Sequence, residues 1–168
     1  MPVRVYRFIL LASIATLALL AAGARHAFAQ QNPLQATLSN TQGLDFGRFV
    51  AGSGGTVVLV PGRPRSSTGG VLLLSSPNAS LAGFNVGLTG HGGGNHKEVK
   101  ITLPPNGTVR LTSGAHSMAV DTFVSSPETL PSIPNGGTTL SVGATLVVAP
   151  NQPAGDYSGT FSVTVNYQ

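Results

Sequence analysis

Residues 157–167, YSGTFSVTVNY, alternate between two kinds of side chain over their whole length. Aromatic residues, valines and one glycine take the odd positions, and serine, threonine and asparagine take the even ones. Because successive side chains of a β-strand point to opposite faces, this period of two predicts a strand with one face in the core. The residues of the predicted core face are Tyr157, Gly159, Phe161, Val163, Val165 and Tyr167.

Similar short runs precede this strand, separated by clusters of glycine, proline and asparagine. This pattern is typical of an all-β sandwich or barrel. Residues 138–148 form the longest of these runs, and a turn at 150–155 predicts a hairpin between it and the last strand. A second hairpin turn is predicted at residues 104–107, PPNG. Further strands are predicted at 34–38, 44–50, 56–60, 71–74, 84–88, 99–103, 108–111 and 117–125.

The N-terminus has the organisation of a secretory signal peptide. Two arginines precede the apolar run 8–22, and a small-x-small motif of the kind cut by signal peptidases follows it. A helix of this length rises only about 22 Å, short of the roughly 30 Å core of a membrane, which disfavours an uncleaved anchor. We therefore expect residues 1–29 to be removed as a signal helix. The residues that define this cut are Ala27, Ala29 and Gln30.

The mature chain, residues 30–168, has the length of one domain with its own core. The whole chain carries nine Lys and Arg against five Asp and Glu, and three of the arginines leave with the signal, so the remainder is nearly neutral. This balance disfavours nucleic acid and anionic membranes as partners. The chain has no cysteine, which excludes disulfides and thiolate metal sites. We expect an exported domain without a membrane span, in the periplasm, at the cell surface or secreted.

No set of residues has the spacing of a catalytic or cofactor site. The acidic residues are scattered, and no serine stands in a Gly-x-Ser-x-Gly elbow. His91 and His96 flank a run that contains three glycines and would give a metal no fixed geometry, which favours a solvent-exposed loop. We therefore expect no enzymatic activity, no metal and no cofactor.

Several short motifs follow one another in an order typical of one bacterial family. In these motifs the mature chain resembles the exported β-sandwich domains of the DUF4402 type, over nearly its whole length. The resemblance implies an exported β-sandwich and confers no activity. The motifs are LDFG at 44–47, VAG at 50–52, GGV at 69–71, LSVGATL at 140–146, AGDYSGTF at 154–161 and VTVNY at 163–167.

The C-terminal strand is also similar to that of pilus subunits of the chaperone–usher type, which carry a penultimate tyrosine and a glycine fourteenth from the end. Tyr167 and Gly155 occupy these positions. Such subunits lack one strand of their immunoglobulin-like sandwich, so this resemblance implies a pilin-like β-sandwich with a groove. A periplasmic chaperone fills such a groove first, and a neighbouring subunit fills it in the polymer. The implied groove residues are Gly155, Tyr157, Phe161, Val163, Val165 and Tyr167.

A candidate donor for such a groove lies directly after the predicted cut, in residues 30–40. Leu34, Ala36 and Leu38 lie on one face of a short alternating run. A pilin-like subunit of this kind would have other copies, a periplasmic chaperone and an outer-membrane usher as partners. The same run pairs equally well inside its own chain as an ordinary first strand. The alternative function is therefore a self-complete secreted sandwich that binds a ligand or partner through loops such as 91–97.

Overall fold

The structure of the chain is a computed structural model that describes residues 35–90 and 98–167. The predicted signal helix, Leu34 and the loop 91–97 lie outside the described residues. Within them all regular structure is β, which confirms the predicted fold class, and no helix could span a membrane. The strands of this part are β1 (Gln35–Gln42), β2 (Phe49–Val50), β3 (Gly55–Leu59), β4 (Ser66–Gly69), β5 (Leu72–Leu73), β6 (Ala82–Thr89), β7 (Val99–Thr102), β8 (Val109–Ser113), β9 (His116–Ser126), β10 (Thr138–Val148) and β11 (Thr164–Tyr167).

β10 organises the largest sheet because both of its edges are paired. Along one edge its first half pairs with β6 and its second half with β3, and β9 pairs along the other edge. β1 lies beyond β6, β4 lies beyond β3, and β8 lies beyond β9, all antiparallel. Every second side chain of β10 is buried, as the alternation in its sequence predicts. These buried residues are Leu140, Val142, Ala144, Leu146 and Val148.

Gly143 lies where β10 changes partner from β6 to β3. Val142 pairs with Ala82 of β6, and Ala144 pairs with Leu59 of β3. A Cβ at position 143 would collide with the carbonyl oxygen of Leu59, so the close approach of the two strands requires glycine. The change of partner curls the sheet, as in β-sandwiches whose strands pass from one layer to the other.

The C-terminal strand belongs to a separate two-stranded sheet. β11 pairs with β7, and upstream of it Ser158 forms an isolated bridge with Thr112 of β8. The predicted hairpin between β10 and the last strand is therefore wrong, because the turn at 150–155 leads the chain to β8 and β7 instead of back along β10. The regular strand is also shorter than predicted, since residues 159–163 form no ladder.

The hairpin predicted at residues 104–107 is also wrong. β7 pairs with β11 and β8 pairs with β9, so this turn joins two strands that are not partners. The hairpin lies instead between β8 and β9, where Ser113 pairs with His116 and Gly114 has a φ of +56°. A tight connection of this kind needs a positive φ, which glycine adopts without steric cost.

Two clusters of buried apolar side chains form the core, one on each half of β10. The first packs the second half of β10 against β3, β8 and β9, and the second packs the first half against β6 and β7. The partly buried rings of Phe123 and Phe161 contact both clusters. Phe161 also packs edge-on against Phe84, with ring centroids 6.4 Å apart. The C-terminal segment is thus anchored where the two clusters meet.

Candidate functional site

β1 contains two of the three predicted donor residues, and it is paired within its own chain. Its antiparallel ladder with β6 runs from Gln35 opposite Thr89 to Gln42 opposite Gly83. Every second side chain in its first half is partly buried, and no residue of β1 is fully buried. In the structure this run is therefore the first strand of its own sheet, and its side chains are at most partly buried in the core. The donor residues in β1 are Ala36 and Leu38, and Leu34 lies outside the described residues.

From Phe161 onward the C-terminal segment presents the predicted apolar face to the core, whereas Gly159 of that predicted face is exposed. Phe161, Val163 and Val165 are partly buried, and the serine, threonine and asparagine between and after them are exposed, as the period of two predicts. These three side chains pack against the same cluster that Ala36 and Leu38 contact. The structure thus brings the predicted donor face and this part of the predicted groove face together in one chain. The side chain of Tyr167 lies outside the described residues.

β1 is the outermost strand of its sheet among the described residues. Beyond its ladder it is held by polar contacts to β6: the Ser39 hydroxyl donates to the Asn85 carbonyl at 3.4 Å, and the Asn40 amide donates to the Gly83 carbonyl at 3.2 Å. Residues 35–42 contain no charge and no proline. Natural edge strands commonly carry such residues to prevent pairing with other chains. This edge lacks that protection.

A groove of about 1110 Å³ opens beside the chain upstream of the C-terminal strand. Residues 42–51 form one wall and residues 152–159 form the other. The floor is apolar and belongs to the first core cluster. The floor residues are Leu111, Met118 and Leu146. Two predicted groove residues, Gly155 and Tyr157, line the second wall.

The first wall of the groove is held by hydrogen bonds to residues 65–80 of the chain. Asp45 exchanges backbone hydrogen bonds with Ser80 at 2.9 Å each, and β2 pairs with β5. The guanidinium of Arg65, which is only partly exposed, donates to the carbonyl oxygens of Phe46 and Leu74. These contacts tie the first wall to residues 65–80 of the same chain, of which Leu74 and Ser80 also line the groove.

The second wall is held by a tyrosine and by β8. The Tyr157 hydroxyl donates to the carbonyl of Pro153 at 2.8 Å and accepts from the Gln152 side chain at 2.9 Å. Ser158 and Thr112 exchange two backbone hydrogen bonds, of 2.8 and 3.0 Å. These contacts fix the turn before the C-terminal strand and leave the groove between the two walls open.

The charges at the groove do not favour a charged ligand. Asp45, Arg48 and Asp156 line it, and an oxygen of the Asp45 side chain already accepts from the Gly47 amide at 2.7 Å. In the part of the chain that the structure describes, no three His, Asp or Glu side chains are placed to hold a metal. Two of the three floor residues, Met118 and Leu146, are already almost fully buried, so Leu111 provides most of the apolar surface that the floor exposes.

The comparison with known families agrees with the motifs in the sequence. The model of a domain of unknown function, DUF4402, matches residues 36–167. The chain belongs to the DUF4402 family. No curated protein and no solved structure matches this chain. The DUF4402 domain includes nearly all of β1 as well as the C-terminal strand, so both faces of the candidate site are parts of the domain itself.

The sequence patterns miss the first wall and the floor of the groove in this DUF4402 domain. A strand is predicted at 44–50, and only Phe49–Val50 forms one. The wall is positioned by Arg65, whose partners are distant in sequence, and the floor comes from strands β8, β9 and β10. The signal that could have identified the wall is the LDFG motif at 44–47, since it is one of the family motifs.

Proposed function

We propose that this DUF4402 domain is a structural and interaction protein of the bacterial cell surface or periplasm, and that its copies assemble by exchanging β1. One observation carries the proposal. The apolar face of β1, Ala36 and Leu38, packs against the same cluster as Phe161, Val163 and Val165 of the C-terminal segment, yet β1 has no fully buried residue. A strand that completes the core but is held weakly is suited to exchange between identical chains.

The energetics of such an exchange favour a balance between closed and linked copies. Full burial of a large apolar side chain contributes roughly 1.5–3 kcal/mol to stability. Ala36 and Leu38 contribute less than this, because Ala36 is small and both side chains are only partly buried. The ladder to β6 is lost when β1 leaves, and the same ladder re-forms on the neighbouring copy. Because the contacts are identical, the net change is set by chain entropy and protein concentration.

The connection after β1 is suited to act as the hinge. Gly43 follows β1 directly, is exposed, and would meet no atom within 4 Å if it carried a Cβ. The Gly43 carbonyl accepts one hydrogen bond, from the Ser80 hydroxyl at 3.1 Å, and two residues later the bridge between Asp45 and Ser80 fixes the chain. A short connection of this kind between a weakly held strand and a rigid body favours swapping over independent motion.

The open groove supports a second contact with partners. An extended segment laid between residues 42–51 and 152–159 would contact Leu111 on the floor and run beside both walls. Its volume of about 1110 Å³ lies above the roughly 300–1,000 Å³ of most small-molecule pockets, which favours a peptide segment. A periplasmic chaperone or an outer-membrane usher would use this groove in a pilin-like assembly. The proposal includes no enzymatic activity.

The position of the signal peptide cut bears on the length of the exchanging segment. A cut before Gln30 leaves residues 30–34 ahead of β1, which allows β1 to leave its sheet as a free end. The proposal therefore includes export and removal of residues 1–29. Mass determination of the protein from the culture medium and from the periplasm of the native host tests both.

A matched pair of substitutions tests the exchange. Leu38→Asp places a carboxylate on the apolar face of β1, and Ser39→Asp places one on the exposed face of the same strand. We expect the mature chain to form multimers in sedimentation velocity, Leu38→Asp to abolish them, and Ser39→Asp to keep them. Deletion of residues 30–40 should also abolish them. Multimers that persist in Leu38→Asp or in the deletion would contradict the proposal.

A second candidate function is a self-complete sandwich that binds a partner or ligand. The full pairing of β1 with β6 inside its own chain favours this candidate. In this case the groove takes the binding partner, and the purified mature chain is a stable monomer at every concentration. The sedimentation experiment therefore separates the two functions.

A further inference from the structure

The turn at residues 104–107, which joins β7 to β8, is tied to β9 by two hydrogen bonds. The amide of Gly107 donates to Oδ1 of Asp121 at 2.6 Å. The amide of Thr122 donates to Oδ1 of Asn106 at 2.8 Å. Asn106 and Gly107 are both exposed to solvent. In this turn the backbone nitrogen of Gly107 therefore donates to a carboxylate, and the side-chain oxygen of Asn106 accepts from a backbone amide.

A bulge in β9 provides the donor. Thr122 has a φ of +51°, which is rare for a β-branched residue, and the register of β9 with β10 shifts between Asp121 and Val124. The Thr122 amide therefore leaves the ladder and is directed to Asn106. The two contacts come from successive residues of one strand, so their positions relative to the turn are fixed together.

We propose that Asn106 is a site of spontaneous modification, at which the backbone nitrogen of Gly107 attacks the side-chain carbonyl carbon of Asn106. The bond from Gly107 N to Asn106 Cγ forms, and the bond from Cγ to Nδ2 breaks. The amide proton of Gly107 passes to the Asp121 carboxylate and from there to the leaving nitrogen, which departs as ammonia. Water then opens the resulting succinimide to aspartate or isoaspartate. The step needs no oxidant, metal or cofactor.

Each contact assists one part of this step. Asp121 is placed to remove the proton from the attacking nitrogen, as a general base does. The Thr122 amide stabilises the negative charge that develops on Oδ1 of Asn106 during the attack, as an oxyanion hole does. Position 107 carries no side chain and has open space around it, so nothing hinders the approach of the nitrogen.

The chain contains an internal control with the same local sequence. Residues 134–136 are Pro-Asn-Gly, as are residues 105–107. Asn135 and Gly136 are also exposed, but among the described residues no carboxylate or amide contacts them in this way. The tripeptide and its exposure are therefore shared, whereas the tertiary contacts differ, as does the backbone at the glycine, which has a φ of +81° at Gly107 only.

The test is to incubate the folded, purified protein at neutral pH and to follow both asparagines by peptide mapping. General base assistance predicts that Asn106 converts at least about tenfold faster than Asn135, with isoaspartate among its products. In urea the two rates should become similar, because the contacts to Asp121 and Thr122 are lost. Conversion of Asn135 as fast as Asn106 in the folded protein would overturn the proposal.

A substitution tests the base directly. Asp121→Asn keeps an oxygen that accepts from the Gly107 amide but is no longer a base, so conversion of Asn106 should fall to about the rate of Asn135 while Asn135 is unchanged. Fast conversion of Asn106 in this variant would overturn the role of Asp121. If the variant does not fold, the comparison between folded and urea-unfolded wild type still decides. The modification places a new carboxylate opposite Asp121, and it is independent of the exchange of β1.

Discussion

The rings of Phe123 and Phe161 pack with centroids 5.1 Å apart and planes inclined by 40°. Phe123 comes from the bulged part of β9, and Phe161 comes from residues 159–163, which form no ladder. Since backbone pairing does not hold this part of the C-terminal segment, its side-chain contacts do. The aromatic pair joins the sheet of β10 to the sheet of β11.

Truncation of Phe161 should therefore cost more than its partial exposure suggests. We expect Phe161→Ala to lower the free energy of unfolding by about 3 kcal/mol, because it opens a cavity against both core clusters. The exposed neighbour Thr160→Ala is the control and should change stability by less than about 0.5 kcal/mol. Urea unfolding monitored by circular dichroism measures both. Equal effects of the two substitutions would show that the pair does not anchor the segment.

Gly143 should not tolerate a side chain. We expect Gly143→Ala to destabilise the fold by about 1–3 kcal/mol, since the new Cβ collides with the Leu59 carbonyl where β10 changes partner. Gly43→Ala, which meets no atom within 4 Å, serves as the matched control and should be nearly neutral. The midpoint of thermal unfolding is the measurement. A stable Gly143→Ala variant would mean that the strands at the change of partner can separate without loss.

The first wall of the groove should depend on Arg65. Arg65→Ala leaves the carbonyls of Phe46 and Leu74 without their donor, so we expect a loss of about 1–3 kcal/mol and faster amide exchange in residues 44–51. Arg63→Ala, an exposed arginine in the same turn, should change neither. Unaltered amide exchange in Arg65→Ala would contradict the positioning role.

Native-state hydrogen exchange measures the free energy needed to release β1 from its sheet. β1 has no fully buried residue and pairs along one edge, whereas β10 is buried and paired along both. We expect β1 amides to exchange through a local opening well below the global free energy of unfolding, and β10 amides to exchange only on global unfolding. Equal protection in the two strands would mean that β1 does not leave its sheet on its own.

The strands themselves were predictable from local patterns. The alternation in residues 138–148 predicts β10 with the bounds that the structure has, and the runs at 56–60, 84–88, 99–103 and 117–125 correspond to β3, β6, β7 and β9. These strands have a buried face or turn residues on both sides, so local sequence determines their position.

The partners of the strands were not predictable in the same way. Alternation indicates which side chains face the core, but not which strand lies beside them. β11 pairs with β7 because Phe161 enters the core upstream of it and Tyr157 fixes the turn at 150–155, and both are tertiary contacts. β4 was missed because Ser66–Gly69 has no apolar alternation and is held by its pairing with β3.

The candidate site was predicted in part for the same reason. Alternation finds the two faces that meet, Ala36 with Leu38 on β1 and Val163 with Val165 at the C-terminus. It cannot find the open groove, because one wall is positioned by the side chain of Arg65 and the floor is assembled from three strands. A groove between segments that are distant in sequence has no local pattern.

The absence of cysteine from this chain allows the exchange of β1 to be trapped directly. Ser39 and Asn85 are exposed cross-strand partners of β1 and β6. Such partners have Cα atoms about 4.5–5.5 Å apart, within reach of a disulfide. The experiment mixes one protein carrying Ser39→Cys with another carrying Asn85→Cys, followed by mild oxidation. The control mixture carries Thr112→Cys and Ser117→Cys, which are partners in the β8–β9 hairpin.

The yield of linked chains in these two mixtures tests the central claim most directly. If β1 exchanges, position 39 of one copy lies beside position 85 of another, and the first mixture should form disulfide-linked dimers of the two different variants. The hairpin control should form few, because a local hairpin does not exchange. Equal and low yields in both mixtures, at concentrations where the chain would assemble, would contradict exchange of β1 and favour the self-complete sandwich.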